Sequence, residues 1–189
     1  LALITYTAYK DWKLIFLGFL KNGLYLSRSY IEFNLILGGM HIALTHERKA
    51  FDMTTPVIQE EPTGCGIASV ANILGKTYSQ MKTIANEMGI YATDQSLWSD
   101  TQYVRRMLSA SGVETSSEEV PFVSWEALPD LALLAIKYHQ EKGKDFWHWV
   151  VFKREHDKHF VLDSASYLPS NIRTDFNEMK PQWFIEVKQ

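Results

Sequence analysis

A single cysteine, Cys65, stands in 189 residues. One thiol excludes an intrachain disulfide framework and a zinc site built from several thiolates, and its scarcity suits a reducing, cytoplasmic setting. Charge of one sign is missing too. A net charge of −3 offers no basic field for nucleic acid or an anionic membrane surface. Long apolar runs are also lacking. The apolar stretch Leu14–Leu20 stops at Lys21, well short of the roughly 20 residues that cross a bilayer, so no membrane span is expected. No Gly-rich phosphate loop, internal repeat or low-complexity segment occurs. No metal or cofactor is expected: His156 and His159 form H-x-x-H without a third ligand in view. What is present is ordinary for a globular domain with a real core, 46% apolar and 22% charged.

The stretch Gln59–Gly75 organises the rest. Pro62, Thr63 and Gly64 form a turn, Ile67, Val70, Ala71 and Leu74 recur at helical spacing, and Gly75 ends the run. Cys65 is therefore expected at the first turn of a helix with a buried face. Unpaired N–H groups and the helix dipole favour a thiolate there. Gly64 and Gly66 are read as room for a substrate backbone beside the sulfur. Gln59 could fold its amide back beside the Cys65 N–H, giving two donors for an oxyanion. The plainer alternative is a small buried hydrophobe.

A thiol nucleophile needs a base and a group to orient it. His148 lies in Phe146-Trp-His-Trp-Val-Val-Phe152. Alternation places His148, Val150 and Phe152 on one strand face and Trp147, Trp149 and Val151 on the other. A regular even-length hairpin loop around Glu155–His159 then puts Asp163 on the His148 face, opposite or diagonal to it. Such an Asp can fix the imidazole tautomer. The alternatives are a satisfied core histidine and a strand-end aspartate bonding its own backbone near Ser164 and Ser166. His139 reads as exposed, and His41 and His46 lie in the N-terminal segment. Trp98, Trp125 and Trp183 read as core or groove-lining aromatics.

In order, the pattern predicts helices from Cys65, over Ser79–Met88 and over Asp94–Ala110. An extended link over Val113–Pro121 and one turn over Ser124–Leu128 follow. Four strands then run over Leu131–Tyr138, Trp147–Lys153, Phe160–Asp163 and Trp183–Val187. A helical half followed by an antiparallel sheet is an α+β layout. Residues 1–52 read as an N-terminal extension, outside the domain at 53–189. Met40 and Met53 are both plausible starts.

Together, Q-x5-C with Thr-Gly-Cys-Gly, a His-Trp after a strand start, and an Asp fifteen residues past that His resemble the bacteriocin-processing cysteine peptidases of the papain-like superfamily. The resemblance runs from about Val57 to Val187. It implies a papain-like fold and a cysteine peptidase acting on a peptide or protein. It also implies Cys65 as nucleophile, His148 as general base and acid, Asp163 as orienter and Gln59 in the oxyanion hole. No transmembrane or ATPase segment follows, so a stand-alone version is expected, and its substrate does not carry over. Glu60 and Glu61 would oppose a thiolate if close. A non-catalytic binding or regulatory module, or an acyl transferase on the same fold, is the alternative. Ser29, Glu32, Phe33 and Ile36 precede Gly38-Gly39 at a spacing like that of a double-glycine leader, which suggests a helix there ending at a self-processing site.

Overall fold

The computed structural model describes residues 32–37, 40–45, 55–155 and 158–188. The chain divides into two units, 1–50 and 51–189. In the first, β1 (Glu32–Leu37) pairs antiparallel with β2 (Met40–Thr45), Leu37 opposite Met40. The segment expected as a leader-like helix is thus a strand from Glu32. Phe33, Leu35 and Leu37 alternate with Glu32, Asn34 and Ile36, and period two outweighs the looser helical spacing. Gly38 and Gly39, like His46, lie outside the described residues.

The second unit starts its helical layer with α1 (Cys65–Leu74), which has no charge in its first or last turn. Residues Cys65 to Asn72 are all buried, Ser69 and Asn72 included, which goes beyond the single buried face expected. Gly75 closes it in the left-handed region, φ 62°. α2 (Tyr78–Glu87) opens on a capping box, Thr77 and Gln80 each bonding the other's backbone. The expected helix over Asp94–Ala110 is instead broken into a 3-10 turn, Gln95–Ser99, and α3 (Gln102–Ala110). Asp100 divides it, while Asp94 caps the 3-10 turn. Asp94 accepts from the Ser96 N–H at 2.9 Å and Asp100 from the Gln102 N–H at 2.7 Å, each restarting a helix rather than continuing one.

The strands follow: β3 (Val120–Pro121), β4 (Leu131–Glu141), β5 (Lys144–Glu155), β6 (Lys158–Asp163), β7 (Ile172–Arg173) and β8 (Trp183–Glu186). They form one antiparallel sheet in the order β3-β8-β4-β5-β6-β7. One face, with Leu133, Ala135, Trp149, Val151 and Ile185, packs on Ile67, Val70, Met81, Val104 and Met107 of the helices. The other, with Leu134, Val150, Phe152 and Val161, is covered by Leu128, Met179, Trp125 and Phe176 from loops. Covering both faces explains the unbroken apolar run Leu131–Ile136. Trp149 and Phe152 lie on opposite faces of β5. Both are fully buried, each burial stabilising by about 1.5–3 kcal/mol. Helices followed by an antiparallel sheet is the α+β order expected.

Two details of β4 and β5 matter for the site. Their hairpin closes through Lys142 (φ 49°) and Gly143 (φ 77°), the two positive φ values of a type I′ turn. Further down, Ile136 faces His148 but His139 faces Phe146, so Lys137 and Tyr138 together oppose Trp147 in a β-bulge. Lys137 sits there at φ 55°, a left-handed conformation that costs a non-glycine residue about 1–2 kcal/mol.

Candidate active site

Cys65 is the first residue of α1 and is 3% exposed. The first helical bond runs from the Ala68 N–H to the Gly64 carbonyl, 2.9 Å. The N–H groups of Cys65, Gly66 and Ile67 therefore have no acceptor within the helix. The glycines beside the thiol do something other than expected. A Cβ on Gly64 would lie 2.1 Å from the Tyr78 hydroxyl, and one on Gly66 would lie 1.9 Å from the Tyr103 hydroxyl. Tyrosine side chains, not open space for a substrate, occupy the volume that the missing Cβ atoms leave.

The segment leading to the turn is latched at both ends. The Val57 N–H donates to Asn72 Oδ1 of α1 at 2.8 Å, and the Gln59 N–H donates to the Ser164 carbonyl just after β6 at 3.0 Å. Gln59 is thereby held between the helix and the end of the sheet. Its Nε2 donates to the carbonyls of Glu61 and Pro62 at 3.0 and 3.1 Å, while Ser164 Oγ donates to its Oε1 at 3.0 Å. The amide is oriented by Ser164 and braces the turn before Cys65.

β5 and β6 pair with Val150 opposite Asp163, so His148 and Asp163 are diagonal neighbours on one face. Nε2 of His148 meets Asp163 Oδ1 at 2.7 Å. Asp163 is fully buried, and three further groups fix it. The Ala165 N–H donates to Oδ1 at 3.1 Å, Arg173 Nη1 donates to Oδ2 at 3.0 Å, and Asn171 Nδ2 donates to the Asp163 carbonyl at 2.6 Å. The strand-end turn and the histidine contact thus coexist. With Nε2 taken by Asp163, Nδ1 is the ring nitrogen that remains. Burial works against the imidazolium, but hydrogen bonds to Asp163 and to the Cys65 side chain outweigh it and raise His148 from 6.5 to about 9. Burial likewise opposes ionisation of Asp163, yet the His148 bond, the Ala165 N–H and Arg173 hold its carboxyl down at about 2.

The glutamates expected to disturb a thiolate are partly tied up. Glu61 accepts from the Tyr78 hydroxyl at 2.5 Å and pairs with Lys82. Burial opposes its ionisation, but the Lys82 and Tyr78 bonds hold its pKa below the usual value. Glu60 is exposed. Both line a cleft of about 410 Å³ with Gln59, His148, Lys137 and Tyr167. A second cleft, about 1130 Å³, runs past Trp98, Tyr138, Phe146, Trp147 and Trp183. Trp98 and Trp183 are thus groove-lining as expected, while Trp125 belongs to the core of the far sheet face. His139 is exposed and stacks on Phe146, and His159 lies against Phe176. His156 is outside the described residues. Sequence reasoning missed Arg173, Ser164 and Asn171, all polar residues in or beside irregular chain. It also missed Lys137, whose conformation no spacing announces.

No described helix is long and apolar enough to cross a membrane. No family model matches the chain, and no curated protein matches it. Among solved structures, the chain is similar to a double glycine motif protease from an AMS/PCAT transporter, solved in complex with the leader peptide. That likeness has a TM-score of 0.47 at 16% identity, over 71% of this chain and 90% of that one.

Proposed function

We propose that residues 53–189 form a papain-like cysteine peptidase, or related amide hydrolase, that works through an acyl-enzyme. The observation that carries this reading is the His148–Asp163 contact at 2.7 Å, made by a fully buried carboxylate to an imidazole. Cys65 as thiolate attacks a carbonyl carbon of a peptide or protein. His148, oriented by Asp163, takes the thiol proton and returns it to the leaving amine. The oxyanion lies at the N-terminus of α1, where the Cys65 N–H points away from any helical acceptor. Gln59 completes that hole when one Nε2 hydrogen leaves the Pro62 carbonyl, which Trp98 Nε1 also approaches at 3.4 Å. A water repeats the sequence on the thioester, restoring the thiol and releasing the acid.

A non-catalytic binding module has one observation in its favour: at rest, both turn carbonyls hold the Gln59 amide, so that donor is not free. Active-site labelling separates the two. Iodoacetamide should alkylate Cys65 well faster than a model thiol at pH 6, and a peptide library should be cut by wild type and not by Cys65→Ala. Labelling no faster than the model thiol, with no peptide cut, would overturn the enzyme reading.

A further inference from the structure

We propose that Lys137, presented by the β4 bulge and steadied by Tyr167, forms a carboxylate-binding subsite that receives the leaving fragment of the substrate. This rests on the peptidase reading above. Strict alternation would send Lys137 to the helix-packed face with Ala135. The bulge between Ile136 and His139 breaks that alternation one residue from the partner of His148. A lysine at φ 55° is uncommon, since glycine takes that conformation without a clash. Bulges near active sites commonly re-aim one side chain. Here the ammonium meets the Tyr167 hydroxyl at the edge of the ring, 4.8 Å from the ring centroid. Tyr167 is 71% exposed, unusual for so large a ring, and its hydroxyl holds the ammonium in the cleft that His148 lines.

The chemistry selects which part of a substrate goes there. His148 gives its proton to the departing amine, so the departing segment lies against the imidazole, along the wall shared with Lys137. A cation there suits a carboxylate. Glu60 and Glu61 reach the cleft from the Gln59–Pro62 segment, and Glu61 is already paired with Lys82. The carboxylate has two sources, the C-terminal α-carboxylate of a short fragment or an acidic side chain.

Binding to the full chain carrying Cys65→Ala tests this without turnover. Three hexapeptide pools are matched except for one feature: a free C-terminus with neutral side chains, an amidated C-terminus with one glutamate, or an amidated C-terminus with glutamine instead. Mass spectrometry measures what the immobilised protein retains. A carboxylate pool should be retained roughly two- to fivefold over the glutamine pool, the range of partly exposed ion pairs. Whichever pool is enriched identifies the source. Lys137→Met should erase the enrichment and Lys137→Glu should invert it; thermal melts confirm that both variants fold. Equal retention of all pools, retention of none, or enrichment surviving in Lys137→Glu overturns the subsite. Cleavage of the same pools by wild type is read separately. Enrichment without cleavage would sink the peptidase reading while leaving the carboxylate site in place.

Discussion

At the scale of single residues, Asp163 is the hinge of the site, because it is shared. Oδ1 serves His148 while Oδ2 takes Arg173, and Arg173 in turn grips Asp175 at 2.5 Å. His148→Ala should remove activity about as completely as Cys65→Ala, since nucleophile and base act as a unit. Asp163→Asn should cost less, because it disturbs orientation and not the proton acceptor. Arg173 is a positioning residue. A bond to a buried carboxylate is worth about 1.5–3 kcal/mol, so Arg173→Gln should lower kcat by about tenfold or more with KM little changed. Losing that cation also leaves Asp163 wholly to the imidazolium, so the alkaline limb of the rate profile should move upward. Arg173→Lys should recover only part, since one ammonium does not bridge two carboxylates as a guanidinium fork does. A purely structural arginine would lower the yield of folded protein and leave the pH profile where it was. Cys65, His148 and Asp163 are legible as candidates in the sequence because each is a rare polar group in an apolar run. Arg173 is not, because β7 is two residues long and no periodicity can announce it.

At the scale of elements, the start of α1 is fixed by two tyrosines from neighbouring helices, and they make a discriminating test. Gly64 has an ordinary helical φ of −77°, so alanine there meets crowding alone, most from the Tyr78 hydroxyl and less from the Glu61 carbonyl at 3.1 Å. Gly64→Ala should destabilise by about 1–3 kcal/mol through overpacking. Tyr78→Phe should relieve much of this, because the ring carbon left behind is 3.1 Å away. Gly66→Ala meets the Tyr103 hydroxyl and also ring carbons at 2.5 and 2.7 Å, so Tyr103→Phe should not relieve it. Denaturant midpoints of the two double-mutant cycles decide; equal rescue in both, or in neither, would mean the tyrosines do not set the helix start. Similar reasoning reaches the β4 bulge, where Lys137→Gly should raise stability by up to about 1 kcal/mol by removing the positive-φ cost. The helices and the central strands were readable because their apolar periods are long. The outer hairpin was not, since Gln140 to Asp145 is polar throughout and stands in solvent, where only Lys142-Gly143 hints at the turn. The break between the 3-10 turn and α3 is hidden in the sequence because one aspartate, Asp100, binding the Gln102 N–H, overrides a continuous apolar spacing.

At the scale of the whole molecule, every candidate site residue belongs to the unit 51–189. A chain beginning at Met53 should therefore melt within a few degrees of the full chain and label at Cys65 equally fast; an insoluble product would show that residues 1–52 complete the fold. Within that unit the site also joins layers, since Cys65 comes from the helices, His148 and Asp163 from the sheet. Their charge coupling should then be visible in global stability. His148 is raised from 6.5 to about 9 on folding, so the folded state binds its proton more tightly than the unfolded state. The stabilisation is complete below pH 6.5 and is lost as pH rises through about 9. Asp163, lowered from 3.8 to about 2, acts in the opposite direction, its contribution present above pH 3.8 and lost as pH falls through about 2. Comparing wild type with His148→Gln at each pH cancels the other titrating groups. The difference in unfolding free energy should shrink by up to about 3 kcal/mol between pH 6.5 and 9.5, with its midpoint on the alkaline side of neutrality. In an Asp163→Asn background the same comparison should be nearly flat, because the imidazolium has lost its buried counter-charge. A difference independent of pH in the native background would mean that folding leaves the pKa of His148 unchanged, and the buried counter-charge that the peptidase reading assigns to Asp163 would not act on it.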